Sequence, residues 1–346
     1  MSKLLDSEVK DIPADLRRTL ELCLELRLKD PALKTTNAMR LFNGFYEGFP
    51  RLTVDLYSQT LVISDRDREV ASRRELHLAI AQFFAAALPG VNSVLFKQHH
   101  AQDAKLRQGE LILGEQVTTS IEENGVNYAL DLKLNQDASF YPDTRNLRLW
   151  LSQQMNNARV LNCFAYTGAL GIAALAGGAG EVIQTDLNPH FLAVAKRSQA
   201  LNHFSGAMKT LSQDFYPMVG SFKSQSKLFD CVILDAPLFS KTRRGRVDLL
   251  QNWHGLVNKV RPLISHEGWL VAINNALFLP GSELMESVRK LTADGYLEFV
   301  EMVPVPQDVT GYAESIVAQA PADPAPFNHP TKIIIMRAYR KDGRRA

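Results

Sequence analysis

Cysteine is scarce in this chain of 346 residues: Cys23, Cys163 and Cys231 are its three thiols, too few and too widely spaced for a disulfide framework or a zinc site. That usage suits a reducing compartment. No apolar stretch approaches the roughly 18–20 residues that a membrane-spanning helix needs, and the opening MSKLLDSEVKD carries charges where a signal peptide needs its apolar core. A cytoplasmic protein without membrane association is expected. Charge of one sign is lacking too, because 39 Lys and Arg against 37 Asp and Glu leave a net charge of +2 and no strong overall field for nucleic acid. Two phosphate cradles are absent, the G-x-G-x-x-G turn for a pyrophosphate and the G-K-[ST] loop for a triphosphate.

What is present is ordinary globular material, 46% hydrophobic and 22% charged, enough for two domains. Residues 1–40 read as a helical N-terminal extension, with Asp15–Leu28 at helical spacing and Pro31 as its breaker. Residues 41–135 shift to short alternating runs, Leu52–Tyr57, Thr60–Ser64, Ser93–Lys97, Gln116–Glu122 and Tyr128–Leu134, around one helix, Ser72–Ala87. Asn43-Gly44 and Asn124-Gly125 are hairpin signals, so this is a small α+β domain. Residues 136–346 alternate helices (Asn146–Asn156, Phe191–Asn202, Val247–Val260, Gly281–Ala293) with apolar runs at Val160, Val182, Cys231–Leu234, Trp269–Ile273 and Leu297–Val303. Such alternation gives an α/β fold, a mostly parallel sheet with helices on both faces, and Lys332–Tyr339 adds an edge strand.

The segment Val160–Pro189, VLNCFAYTGALGIAALAGGAGEVIQTDLNP, reads as strand, the small-residue turn Tyr166-Thr167-Gly168, helix Ala169–Ala176 closed by Gly177-Gly178, and a second strand that delivers Asp186. Ligands of open α/β sheets bind outside the carboxyl ends of the strands, where Asp186 could accept both hydroxyls of a ribose. Without a phosphate cradle, a nucleoside cofactor lacking phosphates, such as S-adenosylmethionine, fits better than NAD. The alternative is a plain βαβ unit whose glycines only permit close packing.

Other residues converge on the same edge. Asp214 follows a third strand near Met208–Leu211, where it could meet an adenine edge or be a surface acid. Asp235-Ala236-Pro237-Leu238-Phe239 follows the buried run Phe229–Leu234, and a carboxylate, a rigid proline and an aromatic ring can orient a flat heterocycle. Asn274 and Asn275 end the fifth strand; they could read a base or cap the next helix, and capping is favoured for Asn275. Phe140-Tyr141-Pro142-Asp143-Thr144-Arg145 precedes the domain's first helix, with Asp143 as a candidate N-cap. Basic residues cluster at Lys241–Arg246 and from Arg337 to Arg345, as solvated surface or as a phosphate site.

In order and spacing these motifs resemble the class I S-adenosylmethionine-dependent methyltransferases of the large-subunit ribosomal RNA methyltransferase I/K type. The resemblance spans about Arg40 to Tyr339 and rests on Arg40–Tyr57 (RLFNGFYEGFPRLTVDLY), Ile121–Asn127 (IEENGVN), Phe140–Arg145, Val160–Gly168, Asp186, Asp235–Phe239 and Asn328-His329-Pro330. It implies a Rossmann-like methyltransferase sheet, S-adenosyl-L-methionine as cofactor, large-subunit ribosomal RNA as partner and no metal; a homodimer is compatible with it. It places Asn162, Phe164, Tyr166, Gly168, Asp186, Leu187, Asp214 and Asp235 on the cofactor. The target base would lie beside Asp235, Pro237, Phe239 and Asn274. Lys241, Arg243, Arg244 and Arg246, with Arg145 and Phe140, would hold the RNA.

Three departures refine the expectation. Cytosine-C5 members of the family carry Ser-Cys-Ser where this chain has Asn274-Asn275-Ala276, and cytosine C5 becomes nucleophilic only after a thiolate adds at C6. Guanine-N7 members are similar to this chain in their paired asparagines and an F-S-x-x-[KR] stretch, here Phe239–Arg243, so a base nitrogen such as guanine N7 is the expected target. Ala236 replaces the first proline of the family's Asp-Pro-Pro, and residues 1–40 do not match the β-rich RNA-binding domain of many members. These leave two alternatives open: methylation of a protein or small molecule, or a catalytically silent relative.

Overall fold

The computed structural model describes residues 12–67 and 74–346. The helical expectation for residues 1–11, and the first two residues of the expected Ser72–Ala87 helix, lie outside the described residues. The chain divides into two units, one of Met1–Pro142 with Gln307–Gln319, the other of Asp143–Pro306 with Ala320–Ala346.

The first unit runs α1 (Ala14–Lys29), β1 (Ala38–Asn43), α2 (Gly44–Glu47), β2 (Leu52–Tyr57), β3 (Thr60–Asp65), α3 (Arg74–Ala87), β4 (Ser93–Gln98), α4 (Ala104–Gln108), β5 (Glu110–Leu113), β6 (Ser120–Glu123) and β7 (Val126–Ala129). Strands β1 to β5 form one sheet in sequence order. Pairing is antiparallel except between β3 and β4, which are joined through α3. Asn124-Gly125 turns the β6–β7 hairpin as its sequence predicts. Asn43-Gly44 does not make a tight hairpin; Gly44 opens α2, where a Cβ would sit 1.9 Å from the Phe49 carbonyl oxygen.

Helix α1 is part of this unit rather than a separate extension, because Leu16, Leu20, Cys23 and Leu24 pack into the same core as Phe42, Val54, Ile63, Ile80 and Phe84. Arg27 explains why a later segment returns here. Its buried guanidinium donates to both Glu47 carboxylate oxygens at 3.0 and 3.1 Å and to the Asp308 carbonyl at 2.9 Å. Asp308, in the short helix Gln307–Thr310, accepts from the Arg40 N–H at 3.0 Å, and Ser315 donates to Glu47 at 2.6 Å. Removing either member of so buried a pair would strand the other charge away from water.

The second unit runs α5 (Arg145–Gln154), β8 (Arg159–Cys163), α6 (Ala169–Ala176), β9 (Glu181–Asp186), α7 (Pro189–Ala200), β10 (Ala207–Ser212), α8 (Phe215–Ser224), β11 (Phe229–Leu234), β12 (Phe239–Thr242), β13 (Gly245–Asp248), α9 (Leu249–Val260), β14 (Ile264–Asn274), α10 (Gly281–Thr292), β15 (Leu297–Val303) and β16 (Lys332–Ala338). Its seven-stranded sheet has the order β10-β9-β8-β11-β14-β16-β15. Strands β8 to β11 and β14 pair in parallel, while β16 is antiparallel to both of its neighbours. The run FDCVIL of β11 is almost wholly buried because helices cover both faces of such a sheet.

Register aligns the carboxyl ends. Cys163 pairs with Thr185 and with Leu234, Leu234 with Ala272, and Asp186 with Ser212. The strand order reverses between β8 and β11, so a ligand crevice opens outside these ends.

Candidate active site

The turn after β8 is conformationally demanding. Phe164 (φ 57°) and Tyr166 (φ 50°) occupy the left-handed region, and so does Gly168 (φ 81°). For residues with a Cβ this costs roughly 1–2 kcal/mol each, and such strain concentrates where ligands bind. Hydrogen bonds hold it: the Ala165 N–H donates to the Thr185 carbonyl at 2.8 Å, and the Tyr166 N–H to Asp186 Oδ2 at 2.9 Å. The Phe164 ring stacks on Phe215 at 4.8 Å, and Tyr166 meets Phe191 edge-on at 4.6 Å.

Behind the turn stands Gln184, a fully buried amide in the middle of β9. Its Nε2 donates to the Gly168 carbonyl at 2.9 Å and its Oε1 accepts from Asn162 Nδ2 at 2.8 Å. Asn162, expected on the cofactor, is itself buried and braces the turn through Gln184. Gln184 escaped the sequence reading; its one signal is a lone amide in the apolar run EVIQT. A Cβ on Gly168 would lie 2.5 Å from the Ala195 Cβ and 2.8 Å from Gln184 Nε2. Gly168→Ala is therefore expected to destabilise the protein by about 2–4 kcal/mol, from the left-handed backbone and overpacking together. A lowered thermal midpoint with weakened cofactor binding is the outcome to check.

Asp186 ends β9 half-buried. Besides Tyr166, it accepts from the Asn188 N–H on Oδ1 at 2.9 Å. A carboxylate has about four acceptor positions, so each oxygen keeps capacity for one ribose hydroxyl. Burial raises this carboxyl above the usual range, opposed by the backbone N–H groups of Asn188, Tyr166 and Leu187. Leu187 is exposed beside it. Asp214 caps α8, its Oδ1 accepting from the Tyr216 N–H at 3.0 Å.

Asp235 follows β11 directly. Burial first, and then the negative charge of Asp143, push its carboxyl up to about 7. Asp143 is not the N-cap of α5; that position is Thr144, and Asp143 Oδ2 accepts from Thr331 Oγ1 at 2.9 Å, at the start of β16. Pro237 and Phe239 beyond Asp235 are exposed, whereas Ala236 is buried.

The basic run expected as solvated surface or as a phosphate site forms a β-hairpin, β12–β13, pairing Lys241 with Arg246. The helix predicted from Val247 accordingly begins two residues later, after Asp248 caps it through the Leu250 and Gln251 N–H groups. Gly245 lies under the Tyr216 ring, where a Cβ would approach to 2.1 Å, and the Tyr216 hydroxyl donates to the Arg246 carbonyl. Arg246 sits over the Phe239 ring at 5.2 Å and pairs with Asp248 at 2.6 Å. Lys241, Arg243 and Arg244 are exposed, and none has an ion pair among the described residues.

Several expected contacts are relocated. Asn274 is wholly buried: its Nδ2 donates to the Leu249 carbonyl at 3.3 Å and its Oδ1 accepts from the Ala276 N–H at 2.9 Å. Its amide thus shapes the edge from beneath. Asn275 is exposed and does not cap α10, whose N-cap position is Pro280. Phe140 and Arg145 are buried, Phe140 against Tyr128 in the first unit and Arg145 at the start of α5 in the second, so neither side chain is offered to a phosphate at the surface. All three cysteines are buried, and burial raises each thiol, Cys23 and Cys163 up to about 12 and Cys231 further.

A family model for S-adenosylmethionine-dependent methyltransferases matches residues 41–317. The chain belongs to this family. S-adenosylmethionine is its cofactor, and the turn fits it: a glycine at positive φ, a carboxylate with acceptor capacity at the next strand end, and no pyrophosphate cradle. Among curated relatives, ribosomal RNA large subunit methyltransferase I of Aeromonas salmonicida is 32% identical over 84% of the chain and 73% of its own length. The protein of that name from Yersinia pseudotuberculosis is 27% identical over 76% of the chain and 66% of its own length. Among solved structures, SMU.776, described as a methyltransferase complexed with SAH, superposes with a TM-score of 0.79 at 21% identity, covering 93% of this chain and 80% of that one. That last likeness establishes the fold of the methyltransferase. Among its described residues no helix is long and apolar enough to cross a membrane.

Proposed function

We propose that this methyltransferase modifies a base of large-subunit ribosomal RNA at a ring nitrogen, with guanine N7 the leading candidate over cytosine C5. The burial of every thiol carries the choice of atom. Addition to cytosine C6 needs an accessible thiolate, and here each sulfur is enclosed with its ionisation suppressed. The names of the curated relatives support RNA as the substrate class.

Bound S-adenosylmethionine supplies an electrophilic methyl group. Guanine N7 bears its lone pair in the ring plane and needs no base to expose it, so the chain's own work is orientation and exclusion of water. In this reading Asp186 fixes the ribose, Asp235 accepts from an N–H edge of the base, and Lys241, Arg243 and Arg244 neutralise phosphates.

The test is incubation of deproteinised large-subunit RNA with methyl-labelled cofactor, followed by nucleoside mass spectrometry. Labelled 7-methylguanosine is expected, and RNA binding should weaken steeply with salt, the slope falling by about 0.7–0.9 for each phosphate-contacting residue removed. Labelled 5-methylcytidine would overturn the atom, and label absent from RNA would overturn the substrate class.

A further inference from the structure

Two loops leave the same sheet edge, one after β11 and one after β14, because Leu234 and Ala272 are register partners. Both carry exposed apolar side chains, Phe239 (57%) on the first and Phe278 (69%) on the second. A hydrogen-bonded chain stitches them together. The Leu249 N–H donates to the Leu238 carbonyl at 3.0 Å, the Leu249 carbonyl accepts from Asn274 Nδ2 at 3.3 Å, and Asn274 Oδ1 holds the Ala276 N–H at 2.9 Å.

Core packing does not account for an aromatic ring as exposed as Phe278. Its surroundings suggest an occupant. The hairpin beyond Phe239 presents Lys241, Arg243 and Arg244 without ion pairs among the described residues, and Asn275, on the same loop as Phe278, is exposed. Aromatic faces interleaved with unpaired cations suit single-stranded RNA, the rings taking base faces and the cations taking phosphates. A duplex hides those faces.

Resting on methyl transfer to RNA, we infer that Phe278 is a stacking platform for an unpaired nucleobase of single-stranded RNA at the mouth of the crevice, on a loop that Asn274 and Leu249 tie to the loop of Phe239. The platform selects RNA in which the base is already unstacked or can be drawn out.

The experiment compares the wild type with Phe278→Ala and Phe278→Trp, using a fluorescein-labelled single-stranded RNA oligomer and an abasic oligomer of equal length and charge. Phe278→Ala is expected to weaken binding of the base-bearing oligomer about 5- to 150-fold, the range of one lost stacking contact, and to leave the abasic oligomer and cofactor affinity unchanged. Phe278→Trp should retain affinity, and its added indole emission should be quenched by the base-bearing oligomer alone. Equal binding of that oligomer by Phe278→Ala and wild type overturns the platform, as does quenching by the abasic oligomer. A wild type that methylates RNA but is indifferent to Phe278→Ala sinks this inference alone; one that binds neither oligomer sinks the RNA reading with it.

Discussion

Asp235→Asn is expected to slow methyl transfer by about 100-fold or more, the loss arising from one charge-assisted hydrogen bond and the misorientation that follows. The substitution preserves volume and removes the ionisable acceptor. With its carboxyl pushed up to about 7, Asp235 holds its proton through much of the mildly acidic range, when the ordinary aspartate value is 3.8. Transfer by the wild type should therefore rise between pH 6 and 8 with a midpoint close to that value, and transfer by Asp235→Asn should be flat there.

Stability should run the other way. Between the ordinary value and about 7 the native state holds a proton that the unfolded chain has released, so wild-type stability falls as pH rises through that window. Above it, Asp235→Asn should melt at a higher temperature than the wild type. Single-turnover rates and thermal melts across the same buffers test both halves; a pH profile unaltered by the substitution would remove Asp235 from the reaction.

Asp186→Ala is expected to raise the dissociation constant for S-adenosylmethionine and SAH by about 100-fold or more, since each hydrogen bond to a charged group contributes roughly 1.5–3 kcal/mol and a ribose offers two hydroxyls. The truncation acts twice. It removes the acceptors for the ribose, and it leaves the Tyr166 N–H, held at 2.9 Å by Asp186 Oδ2, without its restraint on a left-handed turn. Asp186→Asn, which keeps one carbonyl acceptor, should fall between the two. Calorimetric titration reads the effect directly, and unchanged affinity in the alanine variant would relocate the ribose.

Much of this arrangement was legible because strands and helices write their periods into the chain. The run Phe229–Leu234 announces a strand buried on both faces, and the position of Asp186 and Asp235 just after such runs puts them at the carboxyl edge. Helix Ala169–Ala176 was legible to the residue, between Gly168 and the Gly177-Gly178 stop.

Other features leave little trace. The β12–β13 hairpin, FSKT and GRVD, lacks the apolar alternation of a half-buried strand, and its charges read as solvated surface or a phosphate site. Helix α8 was missed between two strands, and β1 and β5 fell outside the expected runs. The expected boundary near residue 135 lies at Pro142, and Gln307–Gln319 returns to the first unit. That return is decided by the buried Arg27, Glu47 and Asp308 network, whose members are 20 and 281 positions from Arg27.

By itself the sequence determined the kind of chemistry: the alternation of apolar runs and helices, the glycine turn without a phosphate cradle, and the carboxylates at strand ends are local patterns, fixed by spacing along the chain. Only the tertiary structure decided which side chains are free to act. It turned Asn162 and Asn274 inward as braces, enclosed Phe140, Arg145 and all three thiols, and left Asn275 and Phe278 exposed. The physical reason is that burial and hydrogen-bond satisfaction are set by neighbours distant in sequence. Leu249, which joins the loops of Leu238 and Asn274, is such a neighbour.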